Sequence, residues 1–174
     1  MRSPGTRASR STEGAVRRRD RGGRGEEGGR TDRGHELLPH TADAGLAGHA
    51  PDLPGAFEEA AAALAELGAD LPAGVSIVEA GCGTLTARDL PGLAFAWLNE
   101  LLGLAAAEGA ALEGGRVARI ERSGAGWALE GTARLASFGP GGAVSRRDVK
   151  AVTFHRLTVE DDVHGWTVTA YADL

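Results

Sequence analysis

The stretch Asp89-Leu90-Pro91-Gly92-Leu93-Ala94-Phe95-Ala96-Trp97-Leu98-Asn99-Glu100-Leu101-Leu102 opens with a helix start and runs on as an apolar stripe. Aspartate suits the N-cap, where its carboxylate accepts from backbone N–H groups that have no partner in the helix, and proline is tolerated in the first turn. Leu93, Ala94, Trp97, Leu98, Leu101 and Leu102 recur at helical spacing toward a stop near Gly109. The same four letters appear earlier as Asp52-Leu53-Pro54-Gly55, followed by Phe57, Ala60, Ala61, Leu64, Leu67 and a terminating Gly68. Common capping chemistry explains four identical residues without a duplication. Two helices with apolar stripes need a shared surface to cover, and the rest of the chain supplies strands.

From Arg116 onward the period becomes two. Trp127, Leu129, Gly131, Ala133 and Leu135 fall on one face of a strand, with Glu130, Thr132 and Arg134 on the other. His35–Leu38 and Ala44–Ala50 are short extended segments, and Val75–Ala87 contains one strand. Val149–Val159 is apolar on both faces, which predicts a central strand. Glu160–Gly165 reads as a turn and Trp166–Leu174 as the last strand. Helices and strands mix without strict βαβ alternation. The expected fold is α+β: two helices packed on one face of a mixed, mostly antiparallel sheet, as a two-layer sandwich.

The charge of this 174-residue chain is uneven. Its net of −5 averages a segment 1–34, with ten arginines against five acids, and a segment 35–174, with nine basic groups against nineteen acids. The first part is +5 and the second −10. Residues 1–34 hold eight glycines and only Met1, Ala8, Ala15 and Val16 as apolar side chains, too few to offset the entropy of ordering. This segment is read as a disordered Arg/Gly-rich tail or a mis-assigned start, and 35–174 as the folding unit. Arg21-Gly22-Gly23-Arg24-Gly25 is a single short copy of the Arg/Gly type and assigns no nucleic-acid site. The segment lacks the apolar h-region of a secretory signal, and no apolar run of membrane-span length is expected in the body. The one cysteine, Cys82, forms no intrachain disulfide, which points to a reducing, cytoplasmic setting.

No Walker loop, GxGxxG, HExxH, GxSxG or paired-cysteine spacing occurs. Cys82 in a strand reads as a small buried residue rather than a nucleophile. Glu160-Asp161-Asp162 reads as a solvated turn tip. Asp43 lies at a strand junction beside His40 and Thr41, where its bland role is a turn carboxylate. Asp173 is next to last, ends an otherwise apolar or Thr/Tyr strand, and adjoins the free α-carboxylate of Leu174. Asp43, Asp173 and the Leu174 terminus would make an oxygen-only set suited to a hard divalent cation such as Ca²⁺ or Mg²⁺; the competing reading is an idle, frayed end. Lys150 is the only lysine, and in a regular strand it shares a side with Val152, Phe154 and Arg156. His155 points the other way and reads as a core histidine with a satisfied hydrogen bond.

Four of these segments resemble the archease family in order and spacing: His40-Thr41-Ala42-Asp43, Trp97-Leu98-Asn99-Glu100-Leu101-Leu102, Lys150-Ala151-Val152-Thr153-Phe154-His155 and Ala172-Asp173-Leu174 at the C-terminus. Together they span nearly all of 35–174. Archeases activate RtcB-type RNA ligases in tRNA splicing and RNA repair, and the ligase carries the chemistry. The resemblance implies a protein cofactor, with no catalytic residue of its own, that promotes ligase guanylylation from GTP and multiple turnover. It implies a metal site at Asp43, Asp173 and Leu174, holding Ca²⁺ or a similar cation. It makes Lys150, and more weakly His40 and His155, contacts to the ligase or its ligand. An acidic body suits docking on a basic ligase better than stable binding of RNA, whose phosphates it repels, and no membrane partner is expected. A small metal-dependent phosphate-ester hydrolase and a chaperone-like binding module remain open as alternatives.

Overall fold

The computed structural model describes residues 33–38 and 44–174. The elements are β1 (Gly34–Leu38), β2 (Ala44–Ala50), α1 (Leu53–Gly68), β3 (Ala69–Asp70), β4 (Ile77–Ala87), α2 (Leu90–Ala107), β5 (Ala110–Ser123), β6 (Gly126–Ser137), β7 (Val144–Ser145), β8 (Ala151–Asp162) and β9 (Gly165–Asp173). The class is α+β, as expected, with two helices and strand pairs that all run antiparallel. The strands divide into a four-stranded sheet in the order β1-β2-β9-β8, a three-stranded sheet β4-β6-β5 and a short β3-β7 pair. Each helix packs against both larger sheets: α1 on β2, β9 and β5, and α2 on β8, β4, β5 and β6.

Both helices begin as the sequence predicts. Asp52 and Asp89 are extended N-caps whose Oδ1 atoms accept from the Gly55 and Gly92 N–H groups, each at 2.7 Å. The core between helices and sheets is built on Trp97, Phe57, Leu46, Leu64, Leu93, Leu98 and Leu101, all fully buried. Burying one such side chain contributes about 1.5–3 kcal/mol. The indole N–H of Trp97 donates to the Phe57 carbonyl at 3.2 Å, so the largest core ring joins α2 to α1 and leaves no polar atom unmatched. Along α1, Arg33 pairs with Glu58 and Glu59, and the His35 ring nitrogens meet Glu59 at 3.0 Å and Glu66 at 3.2 Å. These contacts tie the edge strand β1 to the helix. Burial works to raise the Glu59 carboxyl, but hydrogen bonds from Arg33 and His35 outweigh it and hold that group below its usual value.

Two expectations change. The segment expected as a central strand is β8, which lies at the edge of its sheet and pairs only with β9 among the described residues. α2 packs against it, and Asn99 of that helix meets the Val152 backbone on the edge where a further strand would pair. Secondly, α2 is 18 residues long with a mean hydropathy of 1.3, so by length and composition it matches a membrane span, and one third of it is buried. Its Leu93, Trp97, Leu98 and Leu101 side is locked into the core, and Asn99 and Glu100 interrupt the apolar character of the remainder.

Candidate functional site

The C-terminus is anchored in the fold. β9 runs to Asp173 between β2 and β8, so Ala172 is flanked by Ala44 on one side and Val152 on the other, and Asp173 is opposite Ala151. The Lys150 N–H donates to the Asp173 carbonyl at 3.0 Å. Its ammonium donates to the Leu174 backbone oxygen at 2.8 Å. Two hydrogen bonds from Lys150, one from its backbone and one from its side chain, hold Asp173 and Leu174 beside the start of β8. The Asp173 and Leu174 side chains are exposed. The end of β9 thus presents the exposed Asp173 carboxylate beside a Leu174 oxygen that carries one ammonium.

Asn99 fixes the strand next to this end. Its amide behaves as a missing strand neighbour for the edge strand β8, accepting from the Val152 N–H at 3.0 Å and donating to the Val152 carbonyl at 3.0 Å. It also donates to the Phe95 carbonyl one turn back in α2. The sequence signal for this role was an amide inside an otherwise apolar stripe, and that signal alone gave it no partner.

Directly after this clamp the β8 ladder breaks. Thr153 pairs with Tyr171 and Thr158 with Thr169, so Phe154, His155, Arg156 and Leu157 are set against the single residue Ala170. Arg156 has φ +52, the one non-glycine residue with positive φ among those described. The bulge separates side chains that a regular strand would keep in strict alternation. Phe154 turns to α2 and stacks on Phe95, with ring centroids 3.9 Å apart and planes 15° apart, while its own surface is 60% exposed. Leu157 is buried. His155 is exposed and lies edge-on to the Tyr171 ring at 6.1 Å, so the core position expected for it does not hold; the bulge lifts it out of the layer that a regular strand would have put it in.

His40 and Asp43 lie outside the described residues, so of the three expected metal ligands the structure describes Asp173 and Leu174. Glu160, Asp161 and Asp162, expected in a turn, instead end β8 opposite Thr167, Trp166 and Gly165; they are exposed, and Asp162 accepts from the His164 N–H at 2.7 Å. Cys82 is buried, and burial, with help from the charge of Glu100, pushes its thiol up to about 11; at neutral pH it is a protonated, poorly nucleophilic group. Among the described residues no three His, Cys, Asp or Glu side chains are grouped to hold a metal ion. The chain-end pair offers oxygen donors only, which is the chemistry a hard cation requires, and the remaining ligands would come from beyond it.

The comparisons with known proteins agree on one family. The model described as "Archease protein family (MTH1598/TM1083)" matches residues 35–174. A protein archease of Methanothermobacter thermautotrophicus is 36% identical over 134 residues, 75% of this chain and 91% of the relative. A protein archease of Pyrococcus furiosus is 32% identical over 125 residues, 72% of this chain and 87% of the relative. One from Methanosarcina acetivorans is 29% identical over 140 residues, covering 80% and 95%. The solution structure of Methanobacterium thermoautotrophicum protein 1598 superposes with a TM-score of 0.67 at 31% identity, covering 81% of this chain and 99% of that one.

Proposed function

This chain belongs to the archease family, and from that premise we propose that it is a protein activator of an RtcB-type RNA ligase, promoting ligase guanylylation and multiple turnover in the cytoplasm. The observation that carries the reading is the tethered end of β9. Lys150 holds the Leu174 backbone oxygen at 2.8 Å beside the exposed Asp173, on a strand whose neighbour β2 begins with the residue after Asp43. Asp173 and the terminal carboxylate are the described members of a site for a hard divalent cation such as Ca²⁺, with Asp43 as the proposed third ligand. Such an ion, when bound, supplies a positive centre against charge developing on phosphate oxygens. Lys150 has the positioning role: its ammonium orients the terminal carboxylate and offsets part of the repulsion between that group and Asp173. The excess of acidic residues in 35–174 favours a basic, phosphate-handling enzyme as partner over RNA itself.

A C-terminal extension tests this directly, because it converts the Leu174 carboxylate into an amide without touching the core. The expected result is weakened Ca²⁺ binding by calorimetry and loss of ligase turnover beyond the first round. An extended chain that binds Ca²⁺ and drives multiple turnover like the native one removes the terminus from the site. Asp173→Asn is the companion variant, with the same expected direction.

A further inference from the structure

The C-terminal halves of the two helices frame a cavity away from the chain-end site. Leu64, Ala65 and Gly68 of α1 and Leu102, Ala105 and Ala106 of α2 wall a space of about 340 Å³, and the exposed ring of Phe138 adds apolar surface to it. That volume falls at the lower end of the ~300–1,000 Å³ range of ligand pockets and suits a small molecule with an apolar body. The polar side chains on the lining are Ser145, Arg147 and Asp148. The Arg146 and Arg147 N–H groups both donate to the Gly68 carbonyl, at 2.9 and 3.3 Å, which ties this segment to the end of α1. Arg147 and Asp148 are exposed, and among the described residues neither side chain has an ion pair or hydrogen bond, not even with the other. Two opposite charges thus stand unmatched at the rim of one apolar cavity. Both helices also end there without a basic residue in the last turn, so the partial negative charge of their carbonyl ends is not offset within the helix.

We infer, independently of the function proposed above, that this cavity binds a free apolar α-amino acid as its zwitterion. The ligand's side chain lies among the alanines and leucines, its carboxylate meets the Arg147 guanidinium, and its ammonium meets Asp148, with the helix ends favouring the same cation. Charge complementarity selects this occupant. A fatty acid would set its carboxylate beside that of Asp148, an alkyl amine would set its charge beside Arg147, and an uncharged hydrocarbon would leave both rim charges unmatched. An amino acid carries the two charges on one carbon, as neighbours, which is how Arg147 and Asp148 stand in the chain. A polar amino acid would leave the apolar walls in contact with water and gain nothing from burial.

Calorimetric titration of the full chain with L-leucine and L-phenylalanine tests this. L-leucinamide, which lacks the carboxylate, isocaproate, which lacks the ammonium, and L-serine, which lacks the apolar body, serve as comparisons. L-leucine or L-phenylalanine is expected to bind at one site per chain and to raise the melting temperature, and each comparison compound to bind at least tenfold more weakly. Arg147→Gln is expected to lower the affinity for the amino acid to that of leucinamide, and Asp148→Asn to that of isocaproate. Both positions are exposed, so both variants keep the native urea midpoint. Neither heat nor a shift in melting temperature with millimolar L-leucine or L-phenylalanine overturns the inference. Isocaproate or leucinamide binding as tightly as the amino acid overturns the zwitterion as ligand, and serine doing so overturns the apolar cavity as its site. Native affinity retained by both variants places the ligand elsewhere and overturns the assignment as well.

Discussion

α1 and α2 start from the same four residues and the same cap, with Asp52 and Asp89 each accepting the N–H three residues on at 2.7 Å. Beyond the first turn they are used differently. α1 is rich in alanine, and Ala56, Ala60, Ala61, Ala63 and Ala65 are all buried, so small side chains let it sink between β2 and β5. Gly48 on β2 completes that fit, since a Cβ there would come within 2.1 Å of the Ala60 backbone nitrogen. α2 carries larger leucines and a tryptophan on one side, drives them into the core, and leaves only the small residues Gly103, Ala106 and Ala107 exposed. Local chemistry fixes how a helix begins. What lies opposite each face decides whether the helix becomes core or surface.

The largest way to break the comparison is to remove the ring that couples the two helices. Trp97→Ala deletes a fully buried indole and its bond to Phe57, so unfolding free energy is expected to fall by about 3–5 kcal/mol in urea titration. A loss below about 1 kcal/mol would mean that the helices are held independently. Next comes Gly48→Ala, which presses a methyl group into the α1 backbone; a cost of about 1–3 kcal/mol is expected from overpacking, read from the same titration. The caps sharpen the likeness between the helices. Asp52→Ala and Asp89→Ala are each expected to cost about 1 kcal/mol, and similar values would confirm that the two starts are energetically alike. The smallest effect has the opposite sign. Gly103→Ala on the bare face of α2 meets nothing within 4 Å and improves helix propensity, so a gain of about 0.5–1 kcal/mol is expected in thermal unfolding. Destabilisation there would show that α2 is already covered in solution.

Much of the local structure was legible in the residues. Asp-Leu-Pro-Gly gave both helix starts, Gly68 closed α1, and the alternation through Trp127–Leu135 gave β6 its inward face. The short extended segments His35–Leu38 and Ala44–Ala50 match β1 and β2 closely. The strand at Val149–Val159 was legible as a strand but not as an edge, because side chains report what packs on the two faces of a strand and not whether its backbone edge carries a neighbour. The site divides in the same way. Asp173 next to Leu174 is legible in the sequence, whereas the ammonium of Lys150 on the Leu174 backbone oxygen joins residues 24 positions apart. The disposition of His155 was hidden by the bulge: period-two reasoning assumes an unbroken ladder, and four residues set against one erase it.

The sequence by itself determined the caps, the helical stripes, the alternating strands and a carboxylate-rich end, because each depends on neighbours a few residues away. Tertiary structure decided which apolar faces are covered, that β8 has one strand neighbour and takes Asn99 in place of a second, and that the C-terminus is pinned by Lys150. Those outcomes depend on groups distant in sequence competing for the same surface, and only the folded chain settles which of them meets it.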